Sequence, residues 1–224
     1  MSVSARLRAA AADEWRAATD HPFVDGIRRG TLARETFAYY LAQDYVFLVG
    51  YCRVFGLAAA KAPDLATMEL FATLLHTTLH TEMELHREVS GRYGVSSDDL
   101  EATAPSPTTQ AYVDHLLATA ALGGLDAIAV SLLPCQLGYA EVGKTLADEG
   151  ADRDANPYRD WIRTYADPGF QQLAATVADL VDRTARDADG QRMARLQQTF
   201  VTSCRYERAF WDAAWDQQRW RPHA

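Results

Sequence analysis

Apolar residues recur at three- and four-residue intervals along nearly all of this chain, and no convincing alternation of apolar and polar residues appears. A half-buried strand buries every second residue and a helix every third or fourth, so this period commits the chain to helices. Proline, glycine and capping residues divide it. The pattern predicts an amphipathic helix over 5–19, a break at His21-Pro22, and a short helix ending at Arg29-Gly30. A long helix follows over 33–61. Ala62-Pro63-Asp64 separates it from another over 64–93, with Asp64 as N-cap. Residues 96–107 read as a loop with one helical turn. Ser106-Pro107 then caps and opens a helix over 108–121, which Gly123-Gly124 ends. A long helix over 125–149, short ones over 158–165 and from Asp167-Pro168 to 186, and a C-terminal helix from Gly190 to about 220 complete the chain. The fold class is all-α, a bundle of long helices joined by short loops.

At 224 residues the chain fits one domain, 1–224, able to bury roughly 70% of its unfolded surface. The net charge is −8 and no basic run is long enough for a nucleic-acid footprint. No apolar run reaches the length of a membrane span. Residues 1–16 lack the apolar stretch and cleavage site of a signal peptide, so the expected location is cytoplasmic. Cys52, Cys135 and Cys204 are too few and too scattered for a disulfide framework and are expected to stay thiols.

Four groups of residues bear on chemistry. Cys135 directly follows Pro134 inside an otherwise helical run. Proline deprives the Val130 carbonyl of its partner and predicts a bend beside the thiol, one turn from Tyr139. A thiol there is either a nucleophile, if polar and accessible, or a small buried hydrophobe. Tyr40, Asp44, Phe47, Leu48 and Tyr51 share one face of the third helix. A carboxylate among aromatics must be paired, desolvated or used. Asp44 either accepts a hydrogen bond from the exocyclic amine of an aminopyrimidine stacked on those rings, or it caps a helix or pairs with Arg53. Glu207 precedes Phe210 and Trp211 by one turn, which predicts burial. It is then an acid of raised pKa suited to proton transfer, or one half of an arginine salt bridge. Finally, His76, His80 and Glu84 share a face, with Glu82 and His86 on another. A di-iron bundle needs Glu-x-x-His pairs on two helices, and this chain shows none. The pattern favours a hydrogen-bond network, and no metal is expected. Glycine-rich phosphate loops, Gly-x-Ser-x-Gly elbows and Cys-x-x-Cys pairs are absent.

A set of motifs in fixed order resembles one known family. They are Phe37-Ala38-Tyr39-Tyr40-Leu41-Ala42-Gln43-Asp44-Tyr45, Glu82-Met83-Glu84-Leu85-His86, Pro105-Ser106-Pro107-Thr108 with Tyr112, Leu132-Leu133-Pro134-Cys135 with Tyr139 and Glu141-Val142-Gly143, Trp161-Ile162-Arg163-Thr164-Tyr165, and Tyr206-Glu207 with Phe210-Trp211. The chain resembles the TenA family, which includes thiaminase II, an aminopyrimidine aminohydrolase. The resemblance implies a haem-oxygenase-like helical fold without haem or any other cofactor, usually a homotetramer, with a pocket inside each subunit. It implies that Cys135 is the nucleophile that adds to the pyrimidine ring and that Glu207 is the general acid and base. It implies that Asp44 reads the ring nitrogen and amine, that Phe47 stacks on the ring, and that Tyr112, Tyr139 and Tyr165 line the site. Having Cys135 matches the cysteine branch of the family rather than the carboxylate branch. The chain departs from the family where Phe47 replaces a frequent tyrosine and Leu137 a frequent large aromatic.

The leading expectation is therefore a hydrolase of thiamine salvage. It would convert 4-amino-5-aminomethyl-2-methylpyrimidine to the hydroxymethyl compound and ammonia, with thiamine cleavage as a side activity. Two alternatives stand beside it: a non-catalytic pyrimidine- or thiamine-binding protein with a regulatory role, and an oxidase like some relatives of the fold.

Overall fold

The computed structural model describes residues 1–221, which form twelve α-helices, one π-turn and no strand. In chain order these are α1 (Val3–Ala10), α2 (Ala12–Thr19), α3 (Pro22–Arg29), α4 (Arg34–Ala60), α5 (Leu65–Thr77), the π-turn (Thr78–Glu82), α6 (Met83–Arg92), α7 (Ser97–Glu101), α8 (Pro107–Leu122), α9 (Leu125–Asp148), α10 (Arg159–Ala166), α11 (Pro168–Thr184) and α12 (Gly190–Trp215). The chain forms two compact units, each made of two stretches of sequence. The first takes 1–32 and 126–208, the second 33–125 and the described residues from Ala209 onward.

In the first unit the expected single helix over 5–19 is two. Ala11 leaves helical geometry at φ −116°, ψ 30°, and its N–H is shared between the carbonyls of Leu7 and Arg8. Nothing in the local sequence signals this break. Packing sets it: Ala11 is wholly enclosed and the Trp15 ring lies parallel to Phe200, 6.1 Å away. The short α3 is as expected, with His21 at the N-cap and Gly30 closing it at φ +71°, where a side chain would be strained. Helix α9 continues through Pro134 to Asp148. At Gly143 it passes so close to α10 that a Cβ would lie 2.5 Å from the Tyr165 carbonyl carbon. Gln171 ties the same place, its amide donating to the carbonyls of Ala140 and Tyr165.

In the second unit α4 is the central element, packed on α5, α6 and α8. A Cβ at Gly50 would meet Val113 of α8 at 2.5 Å, so glycine sets how closely these helices approach. Lys61, ending α4, donates to the carbonyls of Ala120, Ala121 and Gly123 and so caps α8. Gln43 fixes the other end of α8: it donates to the Ala104 carbonyl and accepts from the Ser106 amide and the Thr109 hydroxyl. Ser106 and Pro107 open α8 and Asp64 caps α5, both as expected. The loop over 96–107 holds α7, started by a reciprocal Ser96–Asp99 capping box.

Two expectations need correction here. The helix over 64–93 is interrupted by the π-turn, whose wider winding shifts the phase of everything after it. The C-terminal helix ends at Trp215, not near 220. Gln217 is left-handed at φ +48°, and the tail turns back onto the start of α8. There Gln218 accepts from the Thr108 amide and Trp220 donates to the Pro105 carbonyl. The first of these bonds satisfies one of the unpaired amides at the start of α8.

Candidate active site

The predicted site residues divide between the two units. Cys135, Tyr139, Tyr165 and Glu207 belong to the first, and Asp44, Phe47 and Tyr112 to the second.

In the first unit Cys135 is partly exposed, whereas Cys52 and Cys204 are buried. Burial, then the Glu207 and Glu14 charges, push the Cys204 thiol far above the ordinary cysteine range. Burial, then the Glu82 charge, push Cys52 in the second unit up to about 11. Burial holds both in the neutral thiol form, and Cys135 is the more accessible of the three. The structure brings Tyr139 and Tyr165 together, ring centroids 4.8 Å apart, with Trp161 4.7 Å from Tyr165. The Gly143 contact and the Gln171 bonds position Tyr165 in this cluster. Glu207 is only 6% exposed, as its spacing from Phe210 and Trp211 predicted.

In the second unit Phe47 and Tyr112 meet at 4.9 Å, and Tyr51 stacks on Phe47 at 5.2 Å. Phe210 adds a third wall to Phe47 at 5.8 Å. Asp44 is buried at 4% exposure beside them. Of its structural alternatives, neither a helix cap nor Arg53 is its partner. His86 is: its Nε2 lies 2.6 Å from Asp44 Oδ2, and the Tyr40 hydroxyl donates to the same oxygen at 3.2 Å. The Nδ1 of His86 faces the Glu82 carbonyl at 2.8 Å. Glu82 accepts from the Thr78 hydroxyl, and burial raises its carboxyl pKa. The hydrogen-bond network expected around the histidines therefore exists, but it runs through His86 and Glu82. His76 and His80 lie against each other outside it with their rings tilted by 43°, both exposed, as is Glu84. Among the described residues no three His, Cys, Asp or Glu side chains are grouped to hold a metal.

Sequence reading placed His86 in a hydrogen-bond network but missed that it is the partner of Asp44. Its signal was present, since a buried carboxylate needs a donor.

The TENA/THI-4/PQQC family profile matches residues 8–217. The chain belongs to this family. Among TENA/THI-4/PQQC relatives, the aminopyrimidine aminohydrolase of Halalkalibacterium halodurans is 38% identical over 98% of both chains. The protein of the same name from Bacillus subtilis is 34% identical, covering 100% of this chain and 94% of the other. Among solved structures, a TenA family transcription regulator from Silicibacter sp. TM1040 has a TM-score of 0.89 at 34% identity, covering 95% of this chain and 96% of its own. A domain of unknown function with a haem-oxygenase-like fold, from Shewanella denitrificans, has a TM-score of 0.63 at 14% identity over 95% and 92% of the two chains. The fold class is thus all-α and haem-oxygenase-like, as expected.

Proposed function

We propose that this TENA/THI-4/PQQC protein is an aminopyrimidine aminohydrolase (thiaminase II) of thiamine salvage. It turns 4-amino-5-aminomethyl-2-methylpyrimidine and water into the hydroxymethyl compound and ammonia, with thiamine cleavage as a side activity. The observation that carries this reading is near-full-length similarity to two proteins of that name. The side chains supply the chemistry without a cofactor. The Cys135 sulfur, as thiolate, bonds to a ring carbon, and the displaced ring electrons settle on a ring nitrogen, which takes a proton. The lone pair on that nitrogen then pushes back through the ring and expels the nitrogen of the aminomethyl group, which takes a proton from Glu207 and leaves as ammonia. Glu207, now a carboxylate, takes a proton from water as the water oxygen bonds to the exposed methylene carbon. The ring nitrogen gives its proton back, the C–S bond breaks, and aromaticity and thiolate return.

An amine leaves poorly unless protonated, so Glu207 contributes ~10²–10⁴-fold. Asp44 reads the ring nitrogen and amine, Phe47 stacks on the ring, and Tyr112, Tyr139 and Tyr165 line the substrate. The reading includes a homotetramer acting in the cytoplasm as one catalytic domain, with no nucleic-acid or membrane partner. No helix among the described residues is long and apolar enough to cross a membrane.

The test is ammonia release from the aminomethylpyrimidine by wild type, Cys135→Ala and Glu207→Gln. Turnover by wild type, abolished in both variants, is expected. Full turnover by Cys135→Ala would overturn the nucleophilic mechanism. The name of the Silicibacter relative keeps a regulatory, non-catalytic binder as the second reading. Tight pyrimidine binding by wild type with no ammonia would favour it.

A further inference from the structure

We propose that His86 is a positioning residue that holds the Asp44 carboxylate and shares one proton with it, so that the pair, not Asp44 alone, recognises the aminopyrimidine. This rests on the reading of Asp44 as the ring-binding group.

The argument begins at Nδ1. It lies 2.8 Å from the Glu82 carbonyl, which can only accept, so Nδ1 carries a hydrogen. At 2.6 Å, Nε2 and Asp44 Oδ2 also need a proton between them, because a bare imidazole nitrogen and a bare carboxylate oxygen repel. Either the imidazole is doubly protonated against a carboxylate, or a neutral imidazole faces a carboxylic acid. In both cases the pair holds one more proton than two independent groups at neutral pH would.

The surroundings favour keeping that proton. Burial by itself would lower the His86 pKa, but the Asp44 hydrogen bond and charge, with the Glu82 carbonyl and carboxylate, outweigh it and raise it. The other groups around the pair are the Tyr40 hydroxyl, the Glu82 carboxyl with its Thr78 donor, and Cys52, a neutral thiol. None is a competing cation. Both donors that reach Asp44, from His86 and Tyr40, go to Oδ2. Oδ1 is the oxygen left for a ligand. An aminopyrimidine edge offers an amine donor beside a ring nitrogen. A carboxyl group fixed in its plane by two donors on Oδ2 aims Oδ1 at that amine, which donates to it.

Glutamine at position 86 would place an amide nitrogen where Nε2 stands, so it preserves the hydrogen bond but not the proton. Alanine removes both. The experiment is calorimetric titration with 4-amino-5-hydroxymethyl-2-methylpyrimidine across pH, for wild type, His86→Ala, His86→Gln and Asp44→Asn. Melting temperature and circular dichroism check that each is folded. We expect His86→Ala to weaken binding about 10- to 100-fold, the worth of one charge-assisted hydrogen bond. His86→Gln should restore most of that loss. Wild-type affinity should fall as pH rises through the raised His86 range, and His86→Gln should not show this fall. The ligand's own titration cancels in the comparison. Unchanged binding by His86→Ala, or a wild-type pH profile in His86→Gln, would overturn the inference. Unchanged binding by Asp44→Asn would instead overturn the reading of Asp44 beneath it. If His86→Ala does not fold, the His86→Gln profile decides alone.

Discussion

Gly143 offers a direct test of how the tyrosine cluster of the first unit is held. A Cβ added there would sit 2.5 Å from both the carbonyl carbon and the Cβ of Tyr165, and 2.9 Å from the Ala166 amide nitrogen. Ordinary contact begins near 3.4 Å, and two of these atoms are backbone, so no rotamer relieves the clash. Helices α9 and α10 would have to part by roughly 1 Å, which strains the Gln171 bonds to Ala140 and Tyr165. Overpacking of this kind costs about 1–3 kcal/mol. Alanine in a helix interior returns up to ~1 kcal/mol over glycine, so the net loss is about 1 kcal/mol for a mid-range clash. Gly138 is the control: it lies on the same helix, and nothing is within 4 Å of its virtual Cβ. Gly138→Ala should collect the helix gain alone. The two variants should therefore differ by about 2 kcal/mol, or roughly 4–8 °C in Tm for a chain of this length. Thermal unfolding followed by far-UV circular dichroism measures this. Gly143→Ala should also raise KM for the aminomethylpyrimidine through displaced Tyr165. A Gly143→Ala variant that melts at or above Gly138→Ala would refute the close approach and the positioning role drawn from it.

Three further outcomes are expected. Brief alkylation of native protein with iodoacetamide should label Cys135 and spare buried Cys52 and Cys204, as read by peptide mass spectrometry; equal labelling of all three would contradict the assignment of reactivity. Ser106→Ala removes a buried N-cap whose hydroxyl accepts from the Thr109 amide, and should cost about 1 kcal/mol in denaturant unfolding. His86 also ties stability to pH: with its folded pKa raised above about 6.5, its stabilisation is complete below that pH and fades as pH rises through the folded value. Glu82, also raised, acts in the same direction, while half-buried His115, whose pKa desolvation lowers, acts in the opposite one. The stability gap between wild type and His86→Gln should thus narrow from acid to alkaline pH; a gap that widens would contradict the proton assigned to the pair.

What was legible in the sequence follows the range of the forces involved. Helix starts and stops set by local chemistry were readable: Asp64, Ser106-Pro107, His21-Pro22 and Gly30 each act within one turn of where they stand. The burial of Asp44 and Glu207 was also readable, because a carboxylate inherits the surroundings of residues three and four positions away. The break at Ala11 was not, because Trp15 reaches Phe200, far along the chain, and the enclosed alanine carries no local mark. The early stop of α12 was hidden for the same reason, since the tail bonds to the start of α8. The partner of Asp44 shows the limit most clearly. Any reading by helical wheel assumes one unbroken winding, and it puts His86 on a face away from His76 and His80 without saying what that face meets. The π-turn over Thr78–Glu82 adds to the winding just before His86, and the wheel ceases to predict. A buried carboxylate without a nearby cation in its own sequence is therefore better treated as a demand for a donor elsewhere. In this chain that demand, joined to the one histidine in the Glu82–His86 motif, would have named the pair that the hydrogen bonds reveal.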